Sequence, residues 1–382
     1  EENTYIRPVT VQLLGSIACR RYANLTNLTV RGTVKIWDTN LAAIGMLWAK
    51  KDSDDVLDRY IDAIYEPFWK RELDIEDIDV IDTVLSNAGA NTAGFSDYAK
   101  TQGQLDNEKL GVTAFAAGIF GVPTYIVNKQ RYFGREHLPR IAWHMTGKTG
   151  PTPQVSYSIP LGQAKQIEQA SDNVANNSVL GSKAVSDKVL DVFVDFSNPI
   201  SYQAIDPVLQ LSSETGCNIS WYSVLKSPFK RPASNTQTGD RGARHRLIRA
   251  ELLAQNITCY SAHSLPDIYT DFDRRYATMG LLWLEQESPE NKNLYMRAVF
   301  ARYWREHKPI DTANDIVAVL ATFELNTNEF LAYLAGPAAI ELEESLDRSS
   351  GRGIIGTPTF LIDDEPFLGL QHLPLLKHKL SL

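Results

Sequence analysis

The stretch GIIGTPTFLIDDEPFLGLQHLP, residues 353–374, sets Gly-x-x-Gly-x-Pro-Thr ahead of an apolar run, and it echoes GIFGVPTYIVNKQRYFGREHLP, residues 118–139. Nine of the 22 positions are identical, and partners always stand 235 residues apart. Thr359 to Ile362 reads as a strand, Asp363-Asp364 as its turn and Pro366 to Leu368 as the partner strand. A closing helix follows from His372 to Leu380. Gly353 and Gly356 keep side chains away from whatever approaches the Pro.

The offset holds far upstream. Ile44-Gly-Met-Leu-Trp48 falls on Met279-Gly-Leu-Leu-Trp283, Trp69 on Trp304 and Ile75 on Ile310, with no net insertion. This is a duplicated domain, with a repeat much longer than those of solenoids. Residue 1 corresponds to Thr236, whereas the second copy starts near Lys188, so the first copy lacks about 47 residues at its front. The chain does not open with Met, and the expectation is that those residues lie ahead of Glu1.

The second copy reads as β-α-β, a helical block, then β-β-α. VLDVFVDF, residues 189–196, is a strand apolar on both faces. Pro199 suits the first position of a helix, with Asn198 as its cap. CNISWYSV, residues 217–224, alternates as a second strand, and residues 241–255 carry helical spacing. Helices from Arg274 to about Arg348 are broken at Ser288-Pro289, Lys308-Pro309 and Gly336-Pro337. The fold class is α/β: two thioredoxin-like domains, each with a helical insertion in the sheet, the first without its N-terminal β-α-β part. The expected boundaries are 1–145 for the first domain, 146–188 for a polar linker with a short helix near 163–175, and 189–382 for the second domain.

Composition narrows the function classes. The 382 residues are 43% hydrophobic and carry a net charge of −8, which disfavours nucleic acid as a partner. No apolar run approaches the roughly 20 residues a membrane helix needs. Cys19, Cys217 and Cys259 are too few and scattered for a disulfide framework, a cytoplasmic setting fits, and the seven histidines show no metal spacing.

The pieces DFSNPISYQA (195–204), FKRPASN (229–235), RHRLIRAEL (244–252) and GIIGTPTF (353–360) resemble the DsbA-like thioredoxin superfamily. Within it they are most similar to the branch of 2-hydroxychromene-2-carboxylate isomerases and kappa-class glutathione transferases. The resemblance implies a cis-Pro at Thr357-Pro358, with Val122-Pro123 as its counterpart, where the backbone of the preceding residue grips glutathione as cosubstrate. It places the family's catalytic Ser on Asn198, beside Ser197 and Ser201, and a glutathione-holding Asn on Asn235. A family Lys falls on Arg244, whose guanidinium would suit the glycyl carboxylate. The Ser-Asp pair that holds the γ-glutamyl amine falls on Leu370-Gln371, while the first copy keeps an acid, Glu136. The implied activity is glutathione-dependent isomerisation or transfer on a small electrophile.

Two alternatives stay open. One is a degenerate, non-catalytic binding protein. The other is an oxidoreductase whose reactive cysteine lies ahead of Glu1, since Asn198-Pro199-Ile200-Ser201 stands where redox relatives have Cys-Pro-x-Cys. Asn198 could be a cap alone, or its amide could donate to a thiolate; an amide cannot act as a base. The seven basic residues between Lys226 and Arg249 read as surface charge or an anion site. The equivalent His137 and His372 read as structural, and the paired tryptophans as core. Two copies in one chain could pack as a pseudo-dimer.

Overall fold

The computed structural model describes residues 11–32, 34–119, 121–153, 155–157, 188–225 and 272–381. Residues 241–255, the linker helix near 163–175, Asn235, Arg244 and Cys259 lie outside the described residues. The chain forms two compact units: Gly15–Val122, and Pro123–Leu382 together with Glu1–Leu14.

Helices make up the first of these. α1 (Val11–Leu25), α2 (Asn40–Asp52), α3 (Asp54–Lys70), α4 (Ile78–Asn87), α5 (Phe95–Lys100) and α6 (Gln102–Ala116) run in chain order. Ser53 caps α3 through Val56 N–H, and Asp77 caps α4 through Asp79 and Val80 N–H, so the helix starts are fixed by short polar side chains. Ile44, Tyr60, Ile81, Leu85 and Phe95 fill the core between them.

From Pro123 the larger unit runs through a two-stranded antiparallel hairpin, β1 (Thr124–Val127) and β2 (Gln130–Phe133), followed by α7 (Leu138–Met145). A four-stranded sheet follows in the order β4-β3-β5-β6, built from β3 (Val189–Val194), β4 (Asn218–Ser223), β5 (Thr359–Ile362) and β6 (Glu365–Leu368). β3 pairs parallel with β4 and antiparallel with β5, and β5 pairs antiparallel with β6. α8 (Pro199–Thr215) makes the β3-to-β4 crossover and ends at Gly216, whose φ of 75° suits a residue without Cβ. Between β4 and β5 come α9 (Arg275–Glu287), α10 (Lys292–Trp304), α11 (Ala313–Leu320), α12 (Thr327–Ala335) and α13 (Ala338–Gly351); α14 (Leu373–Ser381) closes the chain. The breaks at Ser288-Pro289, Lys308-Pro309 and Gly336-Pro337 all fall between these helices, where the missing Pro N–H interrupts no helical bond, whereas Pro67 and Pro207 are accommodated inside α3 and α8. β5 is buried along its whole length, as expected of a strand flanked on both sides in the sheet.

Side-chain detail repeats with the 235-residue offset. Tyr60 Oη donates to Ala42 O at 3.1 Å, and Tyr295 Oη to Ala277 O at 2.7 Å. Each phenol occupies a notch left by a glycine: a Cβ on Gly45 would lie 2.1 Å from Tyr60 Oη, and one on Gly280 2.2 Å from Tyr295 Oη. Tyr98 donates to Asp106 and Tyr333 to Glu341, both at 2.8 Å. Trp48 meets Phe95 edge-on, and Trp283 packs on Phe330 at 5.5 Å between centroids. The hairpin turns also match, since Asn128-Lys129 and Asp363-Asp364 all hold positive φ.

Candidate functional site

The site grows from the junction of β3 and α8. Leaving β3, the chain reaches Asn198, whose extended backbone and side chain cap α8: Oδ1 accepts from Ile200 N–H at 2.9 Å. The other end of the same amide reaches across to the loop before β5. Asn198 Nδ2 donates to Thr357 O at 2.7 Å and to Thr357 Oγ1 at 3.1 Å. The Thr357–Pro358 peptide bond is cis. The helix start and the Pro corner are therefore in direct hydrogen-bonded contact, and both ends of the Asn198 amide are committed. Thr357 N–H has no hydrogen-bond partner among the described residues.

Ser197 takes a different direction from Asn198. Its Oγ donates to Asp195 Oδ1 at 2.7 Å and accepts from Arg274 Nη1 at 2.5 Å, while Arg274 Nη2 donates to Leu225 O at 2.9 Å. Arg274 Nη1 also lies 3.5 Å from Asp195 Oδ1, and both side chains are about four-fifths buried. Sequence reasoning missed Arg274, which sits 79 residues from Asp195 with no motif linking the two. Ser201 is fully buried, and its Oγ accepts the Asp195 N–H at 3.2 Å, tying the strand end to α8 rather than facing the corner.

Gln371 and Glu136 serve the turns after their hairpins. Gln371 folds back over Gly369 and donates to Leu368 O at 2.8 Å, so its amide serves the turn after β6. Glu136, its counterpart, folds over Gly134 in the same way, and burial raises its pKa above the usual carboxylate range. Val122 is 84% exposed, and Pro123 O accepts from Gly134 N–H at 3.0 Å as Pro358 O does from Gly369 at 2.9 Å. Val122–Pro123 is not a cis bond. Cys217 is buried at the start of β4, away from the corner, and no cluster of metal-ligating side chains occurs among the described residues. No described helix is long and apolar enough to cross a membrane.

His137 and His372 do occupy matching places, each ending a 3-10 turn before the closing helix. Both are buried. His372 packs edge-on against Tyr157 and Phe367. Among the described residues His137 has no hydrogen-bond partner on either ring nitrogen, and burial, with Arg140 nearby, pushes its pKa down to about 4.

A family model for the DSBA-like thioredoxin domain matches residues 22–146 and 189–381, well over half the chain and in two segments. The chain belongs to the DsbA-like thioredoxin family. Its two matched segments agree with the duplication read from the 235-residue offset. The 2-hydroxychromene-2-carboxylate isomerase of Pseudomonas sp. (strain C18) is 20% identical over 193 residues, 50% of this chain and 89% of that protein. A solved 2-hydroxychromene-2-carboxylate isomerase structure covers 50% of this chain and 94% of its own, at 19% identity and a TM-score of 0.41. The cytosolic disulfide reductase DsbM from Pseudomonas aeruginosa, solved with GSH, covers 51% of this chain and 100% of its own, at 15% identity and a TM-score of 0.34.

Proposed function

We propose that the second copy binds a small thiol peptide such as glutathione against Thr357, and that Asn198 acts there as a latch, so that the domain is a binding element and not a thiol oxidoreductase. The observation that carries this reading is the pair of bonds from Asn198 Nδ2 to Thr357, made while Oδ1 caps α8. A residue committed at both ends is a structural tie, and an amide has no proton to gain or lose near neutrality. The corner still has capacity for a peptide: Thr357 N–H is a donor without a described partner, and Thr357 O has a second lone pair. An extended thiol peptide could pair with that backbone much as a strand pairs with a sheet edge. In this reading Asn235 and Arg244 complete the site, Arg244 taking a carboxylate.

A second reading is favoured by the named isomerase that matches along 89% of its length. Glutathione-dependent isomerisation or conjugation of a small electrophile would then occur with Asn198 swung off Thr357, its amide donating to the thiolate. The α8 N-terminus would add about 0.3–1 kcal/mol to that charge.

Calorimetric titration of the full chain with glutathione tests the first reading. Saturable binding that weakens on Arg244→Ala supports it, and no heat at millimolar glutathione removes it. Asn198→Ser separates the two. Under the first reading it tightens or preserves binding and confers no turnover; glutathione-dependent turnover by the wild type establishes the second.

A further inference from the structure

A cleft of ≈ 640 Å³ lies between α8, α10 and α11, and none of its lining residues belongs to the Asn198–Thr357 corner. Its lining is mixed: Ile205, Ala298, Ala301 and Val319 are aliphatic, and the charged residues stand among them. Most of its charges are already spent. Arg297 pairs with Asp206 at 2.6 Å, Arg302 with Asp315 at 3.1 Å while donating to Pro309 O at 2.7 Å, and Lys308 with Glu306 at 3.1 Å.

Two polar groups on the wall are left uncommitted. Arg305 has no ion pair or side-chain hydrogen bond among the described residues, and neither has the Tyr202 hydroxyl. Both line the cleft, and burial raises the phenol pKa while the nearby Arg305 guanidinium lowers it and the Asp206 carboxylate raises it. As the C-cap of α10, Arg305 contributes its backbone N–H, to Ala301 O, and no described side-chain bond. Two of the last four carbonyls of α10 already accept backbone N–H groups, Ala301 O from Arg305 and Glu306, and Arg302 O from Lys308.

The duplication supplies an internal comparison. Position 305 corresponds to Lys70 and position 301 to Glu66, and in the first copy these form an ion pair at 2.6 Å one helical turn apart. In the second copy the acid has become Ala301, which both strips Arg305 of its partner and opens the cleft. Position 297 likewise is Arg where the first copy has Asp62.

We propose that this cleft is a second binding site, for a small organic monoanion whose carboxylate is held by Arg305 and Tyr202 and whose aliphatic body lies on Ala298, Ala301 and Val319. One uncommitted cation selects a single charge, and the aliphatic part of the lining selects a body without hydrogen-bonding groups. The volume falls in the usual range for small-molecule sites. The assignment does not depend on what binds at Thr357.

Isothermal titration of the full chain with octanoate is the test. Saturable binding is expected, weakened about tenfold or more by Arg305→Gln, as the loss of one charge-assisted contact predicts. Ala301→Glu, which rebuilds the first copy's ion pair, should weaken it as strongly, while Asn198→Ser should leave it unchanged. Arg305 is exposed and Ala301 is buried, so each variant is first melted, and Arg305→Gln alone decides the assignment if Ala301→Glu melts below the wild type. No saturable binding by the wild type, unchanged affinity in Arg305→Gln, or equal binding of inorganic phosphate would overturn the assignment.

Discussion

Replacing Asn198 probes the α8 start and the Pro corner together, because the one side chain serves both. Asn198→Ala removes the cap on Ile200 N–H, typically about 1 kcal/mol, and the donation to Thr357 O, about another 1 kcal/mol. The sum, about 2 kcal/mol, would lower the melting temperature of a unit of this size by about 4–8 °C. Asn198→Ser keeps a capping oxygen but cannot span to Thr357, so half that loss is expected. Asn198→Asp also keeps the cap and gains from the helix dipole, but at pH 7 it sets a carboxylate oxygen against Thr357 O where an N–H had been. Below about pH 4 the protonated acid can donate again, and its deficit relative to wild type should shrink. Thermal melts of wild type and the three variants, at pH 7 and near pH 3.5, measure all of this. An Asn198→Ser variant as stable as wild type at pH 7 would show that the bond to Thr357 contributes nothing, and the latch would have to be abandoned.

Gly280→Ala should destabilise the second copy by about 2–4 kcal/mol, since its Cβ would meet Tyr295 Oη at 2.2 Å and displace the phenol from Ala277 O. Adding Tyr295→Phe should cost less than the sum of the two single changes, and a denaturant double-mutant cycle that adds up instead would contradict the notch. For His137 the folded pKa of about 4 lies below the unfolded value near 6.5, so between those values the unfolded chain holds more protons and stability rises with pH. The contribution is complete above about pH 6.5 and falls by about 2–3 kcal/mol as pH drops toward 4; His137→Phe should flatten that slope in denaturant titrations at pH 7.5 and 4.5. Asn198→Cys should place a thiol at the α8 N-terminus with a pKa below the ordinary 8.5 or so, read from the pH dependence of alkylation of that one cysteine by mass spectrometry. An unshifted thiol would mean that the α8 N-terminus cannot stabilise a thiolate.

Much of the fold was legible in the sequence because the duplication leaves a fixed offset and because Pro and Gly act locally. Pro199 and Asn198 announce the start of α8, and the prolines at 289, 309 and 337 the breaks among the insertion helices. The site was legible only in part. Asn198 and Thr357 were paired through the family motif, but the hydrogen bond that occupies both ends of the amide depends on an inter-element distance that no local pattern encodes. Ser201 shows the limit: it stands in the motif two positions after Pro199, yet the helical turn carries it into the core against Asp195 N–H.

By itself the sequence determined the two copies, their shared register and the order of strands and helices, since these follow from periodicity, turn chemistry and backbone restrictions that act over a few residues. Only the tertiary structure decided which polar groups are spent. Asp195 with Ser197 and Arg274, Asn198 with Thr357, and Arg305 left open beside Tyr202 are outcomes of packing elements tens to hundreds of residues apart, and a hydrogen bond formed or missed across such a gap turns on a fraction of an ångström.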